Sequence, residues 1–552
     1  MNTVSSQHLS AAFSSRHGNQ RLFYRRSSLL LLFAILAILM TSWGSAITRA
    51  GEQSITAAVT AVTTATAKRP NVVYLLADDL GIGDVQAFNP QGKIQTPHLD
   101  ALAAAGMKFT DAHSSSAVCT PSRYGILTGR YSWRSTLKSG VLYGFSPPLI
   151  TSDRLTVPGF LAKQGYHTAC IGKWHLGLGW TLLEDAAAKA ETGWHVDYRQ
   201  PFTNGPVTRG FQYFYGISAS LDMPPYVFLE NDRVTSIPTV EKKWIRKGPA
   251  AADFEAVDVL PRLGQRAVEY IAGRSEKAKQ GEPFFLYVPL NSPHTPIAPG
   301  EDWTGKSGLG PYGDFVQQTD AVVGDILNAL DRHGLAEQTI VIFTSDNGCS
   351  PSAGFNKLAQ FGHNPSGPFR GYKADLFEGG HRIPFIVRWP TKIAPQTSSD
   401  QTICQVDLFA TIAEILGIEL PDDAGEDSVS LLPVLLGKAD KPIREATVHH
   451  SINGSFAIRQ GPWKLLLCPD SGGWSAPRPG RDDTSKLPAI QLYNLTEDVG
   501  EHTNLGDQHP DVVAGLTRLL EKYIAEGRST PGSPQPNDRK VIIQTSAQAS
   551  RR

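Results

Sequence analysis

Two pairs of adjacent polar residues, Asp78-Asp79 and Asp346-Asn347, have the chemistry to hold a hard divalent cation. Together they offer three carboxylates and an amide carbonyl, the oxygen ligands that calcium prefers. Each pair directly follows an apolar run, so both pairs would lie at strand ends if the runs are strands. Taken alone, such a pair more often caps a helix or closes a turn. The cation site is therefore a hypothesis that depends on what else lies nearby.

A cysteine opens the segment CTPSRYGILTGR at residues 119–130. Thr120 and Pro121 predict that a helix begins here, and the first turn of a helix offers free N–H groups to an anion. The chain has five cysteines, and none forms a C-x-x-C pair, which argues against a zinc cluster or a thioredoxin-like site. Cys119 is thus a reactive thiol at a helix start, or else a buried structural cysteine.

The same segment closely resembles the signature of the type I, formylglycine-dependent sulfatases, in which a Cys-x-Pro-x-Arg core precedes Leu-Thr-Gly-Arg. The resemblance is to the arylsulfatase A and N-acetylgalactosamine-6-sulfatase branch of the alkaline phosphatase superfamily. It implies that a formylglycine-generating or equivalent maturation enzyme oxidises Cys119 to formylglycine (3-oxoalanine). One hydroxyl of the hydrated aldehyde would attack sulfur, and the other would later lose its proton and expel sulfate. Arg123 would face this group.

The resemblance also gives the two polar pairs a role. It implies that Asp78, Asp79, Asp346 and Asn347 bind one calcium ion per chain. Residue 119 would be a further ligand of the same ion. Bound positive charge would lower the pKa of the hydrated aldehyde and hold a sulfate oxygen.

Four basic residues lie in short strings that are similar to those of the family: GKWHLG at residues 172–177, SPHTP at 292–296 and GYKAD at 371–375. Outside such strings, a lone histidine is usually structural and a lone lysine is usually solvated. The resemblance implies that Lys173 and Lys373 bind the sulfuryl oxygens. It implies that His294, with Lys373, protonates the departing alcohol or phenol. His175 would accept the proton that is lost as sulfate leaves.

Apolar runs predict the elements that position these residues. Residues 71–76, 283–288 and 340–344 are almost continuously apolar, as are parallel strands that are buried on both faces. Residues 314–332 have the apolar spacing of a helix. Polar residues just past the strand ends would lie where ligands bind in open α/β sheets. We predict an α/β fold with a large, mostly parallel mixed sheet covered by helices on both faces, and the resemblance implies an alkaline phosphatase-like form.

The C-terminal part has a different pattern. Residues 455–459, 463–467 and 490–494 predict short antiparallel strands, and residues 510–526 carry one apolar helical stripe. These elements predict a small antiparallel sheet with a packed helix. The predicted divisions are a signal peptide (1–50), a linker (51–69), a catalytic α/β domain (70–448), a small α+β domain (449–528) and a disordered tail (529–552).

The N-terminal segment has the order of a secretory signal peptide: arginines at 21, 25 and 26, an apolar run at 29–40, then small residues at 44–46. About a dozen apolar residues is short for a membrane span, which needs ~20. An uncleaved anchor is the alternative. We expect an exported protein, periplasmic or secreted, with no stable span in the mature chain. The odd number of cysteines then leaves one unpaired, and Cys119 is our candidate.

The charges balance, with 52 Lys plus Arg and 52 Asp plus Glu, so no overall basic field favours nucleic acid. We therefore predict a sulfuric ester hydrolase that cleaves sulfate monoesters of carbohydrates, or aryl sulfates. One alternative is a phosphodiesterase or phosphonate monoester hydrolase with the same fold. Another is an unmodified protein that only binds sulfated glycans. Specificity would lie in the loops at 180–206, 221–244 and 470–486.

Overall fold

A ten-stranded mixed sheet lies at the centre of the structure, a computed structural model that describes residues 69–184 and 192–543. In spatial order its strands are β13 (Thr397–Ser399), β2 (Met107–Phe109), β12 (Phe385–Arg388), β11 (Thr339–Ser345), β1 (Asn71–Asp78), β10 (Phe284–Pro293), β4 (His167–Lys173), β5 (Tyr213–Ile217), β6 (Leu229–Glu230) and β7 (Arg233–Val234). The predicted signal peptide (1–50) and linker residues 51–68 lie outside the described residues.

The central strands β11, β1, β10, β4 and β5 are parallel neighbours. Every residue of β1 is buried, although successive side chains point to opposite faces of the sheet. Both faces at β1 are therefore covered, which explains why its sequence is apolar rather than alternating. The predicted mostly parallel sheet is confirmed, with antiparallel pairing of β12 to β11 and β2, and of β6 to β5 and β7.

Ten α-helices occur among the described residues. They are α1 (Pro97–Ala104), α2 (Cys119–Thr128), α3 (Val157–Lys163), α4 (Ala256–Lys279), α5 (Pro311–Arg332), α6 (Phe355–Ala359), α7 (Glu378–His381), α8 (Leu408–Leu416), α9 (Leu432–Leu435) and α10 (Pro510–Glu526). Helices α4 and α5 pack against each other and against β10, while α3 packs against β4. None of these helices is both long enough and apolar enough to span a membrane.

Eight short strands form three further sheets. Two of them are two-stranded: β3 (Ala112–His113) pairs with β14 (Ile403–Cys404), and β8 (Val240–Lys243) pairs with β9 (Lys247–Ala250). The third is a four-stranded antiparallel sheet, in spatial order β15 (Thr447–His450), β16 (Phe456–Gln460), β17 (Trp463–Leu466) and β18 (Gln491–Asn494).

The C-terminal helix α10 packs against β16 and β17. Its buried residues Leu516, Leu520 and Tyr523 join an apolar cluster with residues of the small sheet. The predicted C-terminal sheet and helix are thus confirmed. Strand β15 was not predicted, and the proposed boundary between residues 448 and 449 falls inside it.

The structure differs from the predicted tail up to residue 543. Composition alone predicts disorder from residue 529, but Asp538 and Asn537 have side-chain partners in the body of the protein. Arg130 Nη2 donates to Asp538 Oδ1 over 3.0 Å, and Arg134 Nη1 donates to Asn537 Oδ1 over 3.1 Å. Buried arginines therefore hold a polar segment that cannot form a core of its own. Residues 544–552 lie outside the described residues.

Candidate active site

The parallel strands bring most of the predicted site residues to one edge of the sheet. Strand β1 ends at Asp78, β11 at Ser345, β10 at Pro293 and β4 at Lys173. Because these strands are parallel neighbours, the residues that follow them meet at the same edge. The backbone N–H of Asp346 donates to the carbonyl of Ala77 over 3.1 Å, which continues the pairing of β11 with β1 past the strand end.

Three carboxylates and an amide form the floor of the site. Asp78, Asp79, Asp346 and Asn347 are all buried. Asn347 Nδ2 donates to Asp79 Oδ1 over 2.7 Å, and the backbone N–H of Asp79 donates to Asp346 Oδ1 over 3.2 Å. Asp79 has a left-handed backbone, with a φ of 66°, which turns the chain sharply after β1. The two pairs, far apart in sequence, are therefore in direct contact, as predicted.

Burial and like charge act differently on these carboxyl groups. Burial, followed by the nearby charge of Asp78, raises the pKa of Asp346 to about 6. Burial also disfavours the charge of Asp78, but Lys173, His294 and Arg123 outweigh it and hold the pKa of that carboxyl well below its usual range. The site thus concentrates negative charge that neighbouring cations stabilise.

Cys119 is the first residue of helix α2 and is buried, with 2% of its surface exposed. Its Sγ, a carboxylate oxygen from each of Asp78 and Asp79, and a ring nitrogen of His294 all lie within 4.8 Å of one another. The helix is predicted from Thr120 and Pro121, and it starts one residue earlier than they suggest. The residue that the sequence marks for chemistry therefore lies against the carboxylate floor.

Arg123 is fully buried one turn further along α2. Its Nε and Nη2 donate to Asp346 Oδ2 over 3.0 and 2.7 Å, and its Nη1 donates to the carbonyl of Lys173 over 3.0 Å. The planar guanidinium thus connects α2 to the ends of β11 and β4. Asp78 Oδ1 also lies 3.4 Å from Nη2, so the direct partners of Arg123 are two carboxylates and a backbone carbonyl.

Two lysines neutralise the carboxylates. Lys173 Nζ donates to both oxygens of Asp78, over 2.9 and 2.7 Å, and Lys373 Nζ lies 2.7 Å from Asp79 Oδ2. Burial alone would lower the pKa of Lys373, but Asp79, then Cys119 and Asp78, raise it well above its ordinary value. With Arg123, the three cations balance the three carboxylates. A bound divalent cation would therefore leave the pocket positive and favour an anionic ligand.

Two buried histidines differ in their protonation. His175 Nε2 lies 2.7 Å from the carbonyl of Leu142, to which it can only donate, while its Nδ1 has no hydrogen-bond partner among the described residues. Burial, then Lys173 and Arg123, hold the pKa of His175 well below its usual range, so its Nδ1 is free to accept a proton. Leu142 N donates to Thr120 Oγ1 over 3.1 Å, which places His175 beside the start of α2.

His294 follows β10, and its pKa is shifted in the direction opposite to that of His175. Its Nδ1 lies 2.6 Å from the carbonyl of Thr295, so that nitrogen carries a hydrogen. Burial and Lys373 lower the pKa of His294, but Asp79 and Asp78 raise it, and the net result lies above the ordinary value. Its Nε2 lies 3.6 Å from Asp79 Oδ2. A proton held on Nε2 is thus available at the carboxylate floor.

Ser220 is a site residue that sequence reasoning missed. Its Oγ accepts a hydrogen bond from Lys173 Nζ over 2.8 Å and lies 3.4 Å from His294 Nε2. Ser220 follows β5, so the signal that finds Asp78 and Asp346, a polar residue past an apolar strand, was also present here. A serine is common in loops, and nothing in the local sequence distinguishes this one.

Comparison with known proteins identifies the family. A family model described as Sulfatase matches residues 70–418, which is more than half of the chain. The chain belongs to the sulfatase family. This sulfatase is accordingly a hydrolase of sulfate esters, and a second model, described as N-sulphoglucosamine sulphohydrolase, C-terminal, matches residues 372–468.

Curated relatives cover most of this sulfatase. It is 36% identical over 501 residues to an N-acetylgalactosamine-6-O-sulfatase of Bacteroides thetaiotaomicron, covering 82% of this chain and 93% of the relative. It is 33% identical over 473 residues to arylsulfatase A of Bos taurus, covering 83% and 87% of the two chains. The branch predicted from the sequence agrees with both names.

Solved structures confirm the fold. A chain labelled 6S-sulf, from work on glycosaminoglycan metabolism by Bacteroides thetaiotaomicron, has a TM-score of 0.72 and 35% sequence identity. The match covers 83% of this sulfatase and 99% of that chain. A sulfatase structure from Pseudoalteromonas sp. has a TM-score of 0.64, with 87% and 95% coverage, and its 23% identity supports the fold alone.

Proposed function

We propose that this sulfatase cleaves sulfate monoesters of carbohydrates with a formylglycine made from Cys119 and one bound calcium ion. The observation that carries the proposal is the grouping of Cys119 Sγ with Asp78, Asp79 and His294 within 4.8 Å. A thiol alone would have no evident use beside a floor of carboxylates. Residue 119 as a hydrated aldehyde would be a further oxygen ligand for a cation held on that floor.

The donor set fits calcium. Three buried carboxylates offer hard oxygen ligands, and the buried Asn347 Oδ1 has no hydrogen-bond partner in the part of the chain that the structure describes. Such an orphaned oxygen is costly to bury unless a ligand such as a cation binds it. We assign Asp78, Asp79, Asp346 and Asn347 as protein ligands, with residue 119. When bound, the ion would supply positive charge to the sulfuryl oxygens and lower the pKa of the nucleophile.

The other side chains have roles that follow from their protonation. The formylglycine hydrate would supply the attacking oxygen. Lys173 and Lys373 orient the sulfuryl oxygens in the low-dielectric pocket. His294, whose raised pKa favours the protonated form, donates a proton to the departing sugar oxygen. His175, neutral with a free Nδ1, accepts the proton that is lost when sulfate is released.

Relatives support a sugar substrate. The Bacteroides relative is named for the 6-O-sulfate of N-acetylgalactosamine, and the C-terminal model is named for N-sulphoglucosamine. A sulfated amino sugar of a glycosaminoglycan is therefore the substrate class we propose. The N-terminal charge pattern supports export to the periplasm or outside the cell, where such polymers occur. A maturation enzyme that oxidises Cys119 is a required partner.

The first test concerns residue 119. Mass spectrometry of the tryptic peptide that spans residues 109–123 of active protein should show formylglycine in place of cysteine. Cys119→Ala should abolish hydrolysis of a panel of 4-O- and 6-O-sulfated N-acetylhexosamines while the melting temperature changes little. Full activity with an intact thiol, or a fully active variant, would refute the proposal. Parallel assays with phosphate diesters distinguish the sulfatase from an esterase of the same fold.

A further inference from the structure

A small basic cavity lies beside the C-terminal sheet. It has a volume of about 160 Å³ and lies where residues 133–139, 450–456 and 539–542 meet. Lys138, Arg539 and Lys540 line it, and no carboxylate does. We call these three residues and the cavity between them the basic pocket. Within the described part of the chain, none of the three forms an ion pair, although the chain as a whole has a formal net charge of zero.

One wall of the basic pocket continues into the active site. Lys138 is four residues before Leu142, whose N–H donates to Thr120 Oγ1 and whose carbonyl accepts from His175. Four residues of extended chain span at most about 14 Å. The cations therefore lie within about the length of a short oligosaccharide from the residues that flank Cys119.

The opposite wall gives an independent indication of the same distance. The carbonyl of His450, which lines the basic pocket, accepts hydrogen bonds from Ala117 N over 3.0 Å and from Ser116 Oγ over 2.7 Å. Ala117 is two residues before Cys119. Ile452 N donates to the carbonyl of Ala374, next to Lys373, over 3.2 Å. The same loops thus connect the basic pocket to the residues next to Cys119 and Lys373.

We propose that the basic pocket binds an anionic group on a sugar unit next to the one that is desulfated. This inference rests on the proposed function and deepens it, because it defines the substrate as a polyanionic oligosaccharide rather than a single sugar. The cavity is smaller than the roughly 300–1,000 Å³ of whole-ligand sites, so it suits one charged group of a longer molecule. A sulfate or a uronate carboxylate has the required chemistry.

Lys138 Nζ donates to the carbonyl of Lys540 over 3.3 Å, which joins two walls of the basic pocket but leaves both charges without an acidic partner among the described residues. An exposed cation near a cleft attracts an anionic chain and aligns it, and the gain falls as salt screens the charge. Pairing with acidic side chains would remove that attraction. The short distance to Cys119 then lets one bound anion fix the register of the chain at the catalytic centre.

The test compares two substrates of one series. Wild type and the triple variant Lys138→Ala, Arg539→Ala, Lys540→Ala are assayed on a 6-O-sulfated monosaccharide and on a tetrasaccharide with the same terminal sugar and further sulfates. The ratio of kcat/KM for the tetrasaccharide to that for the monosaccharide should fall about ten-fold in the variant at low salt. At 1 M NaCl, where the Debye length is about 3 Å, the two proteins should have similar ratios.

A matched variant controls for net charge. Lys163→Ala, Lys392→Ala, Lys441→Ala removes the same formal charge from exposed lysines that form no ion pair in the described structure, and it should keep the wild-type ratio. An equal fall in both triple variants would show a general charge effect and overturn the proposal. An unchanged ratio in the basic-pocket variant would overturn it as well. If wild type cleaves neither substrate, the proposed function fails instead.

Two further tetrasaccharides identify the anion. One carries uronates and a single sulfate, and the other carries neutral sugars in place of the uronates but keeps a second sulfate. The ratio of kcat/KM for the tetrasaccharide to that for the monosaccharide should fall in the basic-pocket variant only with the tetrasaccharide whose anion binds in the pocket. Equal loss on both would show that the pocket accepts either anion. No loss on either, with normal monosaccharide turnover and an unchanged melting temperature, would contradict the inference.

Discussion

Arg123 shows how a single side chain can determine both stability and chemistry. It is fully buried, and its guanidinium binds Asp346 and the carbonyl of Lys173 together. A buried charge is tolerated only where each of its donors finds a partner. The position of helix α2 therefore depends on the contacts of this one buried side chain.

Replacing Arg123 with lysine should reduce both stability and turnover. A single ammonium cannot reach the carboxylate and the carbonyl at once, and disrupting a buried ion pair typically costs about 3–5 kcal/mol. Calorimetric melting and sulfate release should both decline strongly. Arg199→Lys is the matched control, since Arg199 pairs with Asp197 at the surface, where a pair contributes about 0–1 kcal/mol. A wild-type melting temperature for Arg123→Lys would contradict this role.

Replacing Asn347 with alanine should weaken calcium binding without removing a charge. The variant loses the oxygen that has no hydrogen-bond partner, and it also loses a donor to Asp79. Calcium bound per chain after dialysis, measured by elemental analysis, should fall together with turnover, and added calcium should restore part of both. Asn364→Ala, a change at an exposed asparagine, should leave calcium content unchanged. Full calcium content in Asn347→Ala would remove this residue from the ligand set.

The loop after β11 holds two proposed ligands because its next residue has no side chain. A Cβ at Gly348 would lie 1.9 Å from the carbonyl oxygen of Gly379, a backbone atom that cannot rotate away. The N–H of Gly348 also donates to the carbonyl of Gly380 over 2.9 Å. The strand end and the start of α7 are thus packed backbone to backbone, next to Asp346 and Asn347.

Gly348→Ala should therefore displace this loop. Overpacking of this kind typically costs about 1–3 kcal/mol, and movement of the ligands should lower turnover and calcium binding together. Gly273→Ala in α4 is the control, since nothing lies within 4 Å of its Cβ position. That change should stabilise the protein by about 0.5–1 kcal/mol. Unchanged activity in Gly348→Ala would show that the loop can adjust without moving the site.

The elements that the sequence predicts well are those whose apolar pattern shows which of their faces are buried. Strands β1 and β11 are apolar on both faces, so their burial and the position of the polar residues beyond them follow from the sequence. The predicted limits of helix α10 match the observed ones because its apolar stripe spans the same residues as its end signals. The sequence does not reveal strand β15, because it forms through contacts with distant segments, and it does not single out Ser220, because a serine after a strand is too common to be distinctive.

The described residues from Arg69 onward form one compact unit, and buried charges join the C-terminal sheet to the rest of it. Lys464 of β17 lies 2.9 Å from Glu378 Oε1 of α7 and 2.8 Å from Glu501 Oε1 after β18. The N–H of Glu378 donates to Glu501 Oε2 over 2.6 Å. Two carboxylates thus share one lysine, and one of them, Glu378, is only five residues along the chain from Lys373. The small sheet therefore supports the segment that follows Lys373 rather than forming a separate body.

Glu501→Gln should make stability less dependent on pH. Burial raises the pKa of Glu501 from its ordinary value of 4.5 to about 7; Lys464 opposes this rise and Glu378 adds to it. A carboxyl with a raised folded pKa contributes its full stability below pH 4.5, and that contribution is lost as the pH rises through about 7. The melting temperature of the variant relative to wild type should therefore increase between pH 5 and 8. Glu497→Gln, at an exposed position, should show no such trend, and a parallel pair of curves for Glu501→Gln and wild type would mean that Glu501 stays ionised throughout.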